Sequence, residues 1–192
     1  MDYILSDLKN HFSYSYMTSS GYIAICIMVV FFLAVILLIP GRKMHDRVLL
    51  ALFFGFMFGV YSLTVLMRGS RAIGRSVSLM PFNWYTVLKN TGNPNLAWLA
   101  LENCLMLMFP AFLLGIIIRN VRPFRRIMMV TLIMAAFSLT IEYTQLGLNI
   151  GVFEMDDFLC NTLGAFVGVL IAMCVTATPA FKSMDRRVPF PR

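Results

Sequence analysis

Long stretches of apolar residues alternate with short polar segments along the chain. Five of these stretches are roughly 19 to 23 residues long, which is the length a helix needs to cross a hydrocarbon core of about 30 Å. They cover 21–39, 48–67, 96–118, 127–146 and 158–178. The pattern predicts an all-α, polytopic membrane helical bundle with about five transmembrane helices, built as a single domain over 1–192.

Composition agrees with lipid as the solvent for much of the chain. Hydrophobic residues make up 59% of the 192 residues, and charged residues only 13%. A soluble domain of this size has too little interior to bury so much apolar surface. The net charge of +7 is carried by short segments between the apolar stretches, so we expect it to set topology and predict no nucleic-acid partner.

The basic residues mark one side of the predicted bundle. The first loop, the third loop and the tail 179–192 carry Arg42, Lys43, Arg47, Arg119, Arg122, Arg125, Arg126, Lys182, Arg186, Arg187 and Arg192. The positive-inside rule makes these segments cytoplasmic, with the N-terminus outside and the C-terminus inside. We expect these side chains to contact anionic headgroups of membrane lipids.

Residues 1–20 carry a separate apolar pattern. Ile4, Leu8, Phe12 and Tyr16 recur every fourth residue, which would place them on one face of a helix. Such a helix would lie in the outer membrane interface. A partly ordered tail is the alternative.

Polar residues that a simple membrane anchor would avoid gather in the outer half of the predicted bundle. A carboxylate inside a span costs about 3 kcal/mol on insertion scales. We predict an outward-facing ligand site; buried ion pairs that only hold helices together are an equally weighted alternative. The candidate residues are Arg68, Arg71, Arg75, Glu102, Asn103, Glu142, Gln145, Asp156, Asp157 and Asn161. Three of them, the arginines, lie in a segment predicted outside. Either the predicted topology is wrong or these arginines have acidic partners there, and the acids in the neighbouring outer segments favour partners.

Other residue types indicate packing rather than chemistry. The four cysteines lie in apolar stretches without a CxxC pair, and His11 and His45 are the only histidines, so the sequence predicts no metal site and no cofactor. Gly164 and Gly168 form a GxxxG pattern that allows another helix to approach closely. That helix belongs either to the same chain or to a second copy in a homo-oligomer.

Two stretches resemble the VanZ-like family. The stretch 138–171, SLTIEYTQLGLNIGVFEMDDFLCNTLGAFVGVLI, resembles its C-terminal signature, in which a Glu and a Gln on one span precede an acidic turn and an Asn-Thr-Leu-Gly element. Upstream, SLMPF resembles the family's Asn-Leu-x-Pro-Phe element, with Ser78 in place of the Asn. The matching site positions are Glu142, Gln145, Asp156, Asp157 and Asn161.

The resemblance implies a multi-pass protein of the bacterial cytoplasmic membrane linked to resistance against teicoplanin and other envelope antibiotics. The outward-facing site would bind or alter a lipid-linked or cell-envelope species, with a lipid-linked cell-wall precursor or a glycopeptide as partner. One alternative is a membrane enzyme acting on a lipid-linked substrate, with Glu142 as general base. A transporter is less favoured, because five spans give no even inverted repeat.

Overall fold

The computed structural model describes residues 44–66 and 76–186, together with six helical residues between 27 and 34. Four helices are long and apolar enough to cross a membrane: Met44–Leu66, Asn95–Ile117, Pro123–Leu148 and Met155–Ala177. The predicted helical membrane bundle is confirmed. Most of the predicted first span and the whole predicted helix over 1–20 lie outside the described residues. The predicted first span (21–39), the outer helix over 1–20 and the orientation of the termini stay predictions.

The elements follow one another with short connections. In chain order they are α1 (Met44–Tyr61), β1 (Val77–Ser78), α2 (Asn83–Thr91), α3 (Asn95–Ile117), α4 (Pro123–Leu148), β2 (Phe153–Glu154), α5 (Met155–Ala177) and α6 (Pro179–Arg186). A π-helical turn, Ser62–Leu66, extends α1. The predicted tail 179–192 therefore begins as a short helix.

Helix α5 is packed most closely, and glycine makes this packing possible. A Cβ atom at Gly164 would clash with the carbonyl oxygen of Cys104 on α3, and one at Gly168 would clash with that of Met108. The GxxxG pattern thus lets the α5 backbone lie directly against α3 of the same chain. Whether the protein also forms a homo-oligomer stays a prediction.

Apolar side chains fill the space between α3, α4 and α5. The fully buried core residues include Leu107, Ala111, Val130, Met134 and Val169. On the outward faces of the helices, large apolar side chains such as those of Leu132 and Phe166 are exposed. An apolar exterior of this kind is suited to lipid rather than water.

The two ends of the bundle differ in chemistry. The basic end is the end where α1 and α4 begin and α3 and α5 finish, and it carries Arg119, Arg122, Arg125 and Arg126. The polar end is the opposite one, where the described candidate site residues lie. A two-residue parallel pairing of β1 with β2 covers the polar end, with Val77 opposite Phe153. Because β1 precedes α2 and β2 precedes α5, this pairing joins the two connecting segments over the site.

Candidate functional site

Two acidic residues at the start of α5 connect it to the neighbouring elements. The Asp157 carboxylate accepts a hydrogen bond from the side-chain amide of Asn103, near the start of α3. One oxygen of Asp156, Oδ2, accepts the backbone N–H of Trp84 in the first turn of α2, at 2.9 Å. The consecutive acids thus fix two different elements at the polar end.

Glu142 lies in the last two turns of α4 and is only 2% exposed. Its Oε2 atom accepts the backbone N–H of Glu154 in β2 at 2.9 Å. This bond ties the end of α4 to the strand that leads into α5. A buried carboxylate that accepts a backbone N–H is suited to positioning the elements that it joins.

Gln145 shares a helix face with Glu142 and connects α4 to α1. Its side-chain Nε2 donates to the carbonyl oxygen of Thr64 at 2.9 Å. Thr64 lies in the π-helical turn, where wider backbone spacing leaves carbonyl groups without their usual α-helical donors. The backbone carbonyl of Gln145 accepts the N–H of Ile150, which closes the end of α4.

Asn161 lies one turn deeper on α5 and is fully enclosed. Its Nδ2 atom donates to the hydroxyl oxygen of Ser138 on α4 at 3.0 Å. Its Oδ1 atom and the Oδ1 atom of Asp156 are buried, and neither has a hydrogen-bond partner within the described part of the chain. Two buried acceptor oxygens on one helix end therefore retain unused capacity for an N–H or O–H donor.

An apolar groove runs between α1 and α3 and reaches Glu102. Its volume is about 760 Å³, and the rings of Phe56 and Phe109, tilted by 54° with centroids 4.5 Å apart, lie along it. The walls include Leu52, Phe56, Leu63, Leu105 and Phe109. Glu102 is the charged residue among the described lining residues. The groove thus has an apolar body with one acidic group, and the neighbouring Asn103 belongs to the polar end.

Not all predicted site residues can be placed. Arg68, Arg71 and Arg75 lie outside the described residues, so their contacts with the acids stay predictions. Glu102 is half-buried on the groove, one residue before Asn103. The remaining six, Asn103, Glu142, Gln145, Asp156, Asp157 and Asn161, all lie at the polar end.

Several polar-end residues were missed by the sequence analysis. Ser138 precedes Glu142 by four residues and Gln145 by seven, so all three lie on one face of α4, and this spacing could have indicated it. Ser62, with a buried hydroxyl at the end of α1, gave no comparable signal. Nor did Trp84, because its contribution is a backbone N–H, which every residue except proline has.

The described ranges contain no cluster of side chains suited to hold a metal ion. Within 44–66 and 76–186, no group of three or more His, Cys, Asp or Glu side chains is placed to hold a metal ion. The site instead offers carboxylate and amide groups that accept or donate hydrogen bonds.

Comparisons with known proteins identify the family. No curated protein and no solved structure matches the chain. A family model described as VanZ/LLP1 matches residues 47–176. The match covers more than half of the chain and includes all four described membrane-spanning helices apart from a few residues at their outer bounds. The resemblance found in the sequence is therefore confirmed, and the chain belongs to the VanZ/LLP1 family of membrane proteins.

Proposed function

We propose that the polar end binds a lipid-linked species of the cell envelope, and that this binding contributes to resistance against teicoplanin or other envelope antibiotics. The protein would act in the bacterial cytoplasmic membrane with its polar end facing outward. The observation that carries the proposal is that two buried acceptor atoms of α5, Asp156 Oδ1 and Asn161 Oδ1, have no hydrogen-bond partner within the described residues.

These acceptors indicate the chemistry of the headgroup. A buried oxygen that lacks a donor costs about 1–3 kcal/mol, so a ligand with hydroxyl or amide N–H groups gains by supplying the donors. Sugar hydroxyls and peptide amides both meet this requirement. The sequence-predicted arginines at Arg68, Arg71 and Arg75 would add bidentate contacts to a phosphate. A saccharide or peptide headgroup joined to a phosphate fits this combination.

The groove between α1 and α3 supplies a place for the rest of such a molecule. It is lined almost completely by apolar side chains and ends at Glu102, beside Asn103 of the polar end. An acyl or isoprenoid tail in the groove would bury apolar surface while its headgroup reaches the acceptors. Both parts of the site together favour an amphiphilic ligand over a free sugar or peptide.

The decisive experiment uses Asp156→Asn in a susceptible Gram-positive host. The asparagine oxygen can still accept the Trp84 N–H, while an NH₂ group replaces the Oδ1 acceptor. We expect wild-type protein to raise the teicoplanin concentration needed to stop growth, and Asp156→Asn to lose this protection at an equal membrane level. Glu154→Gln, an acid-to-amide change on an exposed neighbouring side chain, is the matched control and should protect as wild type does.

Each result has a defined meaning. Equal protection by Asp156→Asn and wild type would show that this acceptor binds no ligand relevant to resistance. If wild type itself gives no protection, the proposed resistance role is wrong for this chain, and ligand binding is then tested directly with purified protein.

The enzymatic alternative depends on Glu142, the one fully enclosed carboxylate among the described residues. In Glu142→Gln the amide oxygen can still accept the Glu154 N–H, so the fold is retained while the proton acceptor is removed. Protection that is lost in Glu142→Gln, with ligand binding unchanged, would favour a general base. Protection lost together with ligand binding would favour the binding proposal.

A further inference from the structure

A second charged group lies at the basic end, far from the proposed ligand site. Arg126 occupies the first turn of α4 and is only 5% exposed. Its Nη1 atom donates to the hydroxyl oxygen of Thr176 on α5 at 3.1 Å. The Thr176 hydroxyl in turn donates its own proton to the carbonyl oxygen of Ala172 at 2.8 Å. One edge of the guanidinium group is therefore used to join α4 to α5.

The other edge of the Arg126 guanidinium has no hydrogen-bond partner in the part of the chain that the structure describes. Its Nε and Nη2 atoms are buried, and no acceptor within the described ranges bonds to either of them. These two N–H groups point in parallel directions, which is the arrangement that binds two oxygens of one carboxylate or phosphate. A buried guanidinium without an anion is unfavourable, so the site is incomplete without an acidic group.

No protein carboxylate at the basic end is available for this role within the described side chains. Asp46 is the acid among the side chains described there, and it already accepts a hydrogen bond at 2.9 Å from Nη1 of Arg119. Arg122 and Arg125 beside it are exposed and add positive charge. The N-terminus of α4 carries further partial positive charge at the same place. The surroundings of Arg126 thus attract an anion from outside the protein.

The depth of Arg126 indicates which anions can arrive. Phe124, two residues earlier, is 77% exposed, as expected for an aromatic side chain at the membrane interface. Lipid phosphates lie at this level, and small anions from the aqueous side can also reach it. The Nε and Nη2 atoms of Arg126 lie below the protein surface, so neighbouring side chains must move aside for an anion to enter. A bound anion should consequently leave slowly.

We propose that the Nε–Nη2 edge of Arg126 binds one phosphate group at the basic end, supplied either by a phospholipid headgroup or by free phosphate. This site is separate from the polar end and does not depend on the function proposed for it. The contact would anchor the adjoining ends of α4 and α5 to the membrane interface at a defined point.

Native mass spectrometry of the purified full-length chain in detergent tests the proposal. The probes are phosphatidylglycerol and inorganic phosphate, each added to delipidated protein. We expect wild type to retain one phosphate-bearing molecule and Arg126→Gln to bind it at least about tenfold more weakly, because a charged bidentate contact is lost. Arg125→Gln removes the same charge from an exposed neighbour and should bind as wild type does.

The two probes distinguish the source of the phosphate. Retention of the lipid alone assigns the site to a headgroup, whereas retention of inorganic phosphate alone assigns it to the free ion. Binding that is equal in wild type and Arg126→Gln, or absent with both probes, overturns the proposal.

A second measurement covers the case in which Arg126→Gln fails to fold. Arg126→Met fills a similar volume without a charge, so in detergent free of phosphate and phospholipid it should melt at or above the temperature of wild type. Added phosphatidylglycerol or phosphate should then raise the melting temperature of wild type more than that of Arg126→Met. A lower melting temperature for Arg126→Met without probes, with equal rises on addition, would show that Arg126 has only a structural role.

Discussion

The close approach of α3 and α5 leads to a quantitative prediction for Gly164→Ala. The added methyl group would meet the backbone carbonyl of Cys104, which cannot rotate away as a side chain can. Overpacking of a buried contact costs about 3 kcal/mol at the upper end of its usual range. Alanine regains about 1 kcal/mol through its higher helix propensity. We therefore expect a net loss of about 2 kcal/mol in the free energy of unfolding.

The assay is thermal unfolding of the purified protein in detergent. For a chain of this length, a loss of about 2 kcal/mol lowers the melting temperature by about 4–8 °C. Gly147→Ala is the matched control, because Gly147 lies in α4 and a Cβ atom there meets no other atom within 4 Å. That variant should melt at the wild-type temperature or slightly above it.

Protein concentration separates an internal contact from one between copies. Because Cys104 and Gly164 belong to the same chain, the effect of Gly164→Ala should be the same in dilute and concentrated samples. The reasoning is refuted if Gly164→Ala and Gly147→Ala have the same melting temperature. A deficit that appears only in concentrated samples would instead place a second copy against this face.

Two further predictions concern single interactions. Ser138→Ala removes the acceptor for the buried Asn161 amide, so we expect a loss of about 1–3 kcal/mol in the free energy of unfolding. Denaturant titration measures this loss, and an unfolding midpoint equal to that of wild type would contradict the hydrogen bond. Phe82 has a left-handed backbone with φ 58° and a side chain that is 62% exposed, so Phe82→Gly should gain about 1 kcal/mol by removing backbone strain. Phe82→Ala retains the Cβ atom and serves as the control: an equal gain in both variants would rule out strain as the cause.

The helices could be predicted from the sequence because lipid imposes a length on each apolar stretch. The ends of the helices could not be predicted in this way, because a hydropathy pattern assigns charged residues to the loops. Helix α4 begins at Pro123 rather than at 127, since proline at the first helical position is favoured even when arginines follow. Helix α5 begins at Met155 rather than at 158, because Asp156 and Asp157 in its first turn interact favourably with the helix dipole.

The start of helix α6 has a local signal in the sequence. Thr178 precedes Pro179, and its hydroxyl oxygen accepts the backbone N–H of Phe181 at 3.3 Å, as in an N-terminal cap. A threonine followed by proline after an apolar stretch is a recognisable helix start. Positive charges after a span indicate a cytoplasmic tail, but they carry no information on whether that tail begins as a helix.

The sequence predicted at which end of the helices the candidate site residues lie, but not which groups form hydrogen bonds with them. Carboxylates in apolar stretches indicated the polar end, since their insertion is unfavourable without a reason. The acceptor for Gln145 is a main-chain carbonyl in a π-helical turn, and the donor for Asp156 is a main-chain N–H. Backbone partners have no signature in residue identity. The two-residue strands β1 and β2 are likewise too short for a periodic pattern.

The contacts at the polar end have a consequence for the order in which the protein assembles. The bonds of Asn103 to Asp157, Trp84 to Asp156, and Gln145 to Thr64 join residues that are 54, 72 and 81 positions apart. All three must wait until distant helices have entered the membrane and found one another. The individual helices form from their own apolar sequence, whereas the polar end is completed only when α5 docks. Substitutions there should leave insertion intact and affect the last step of folding.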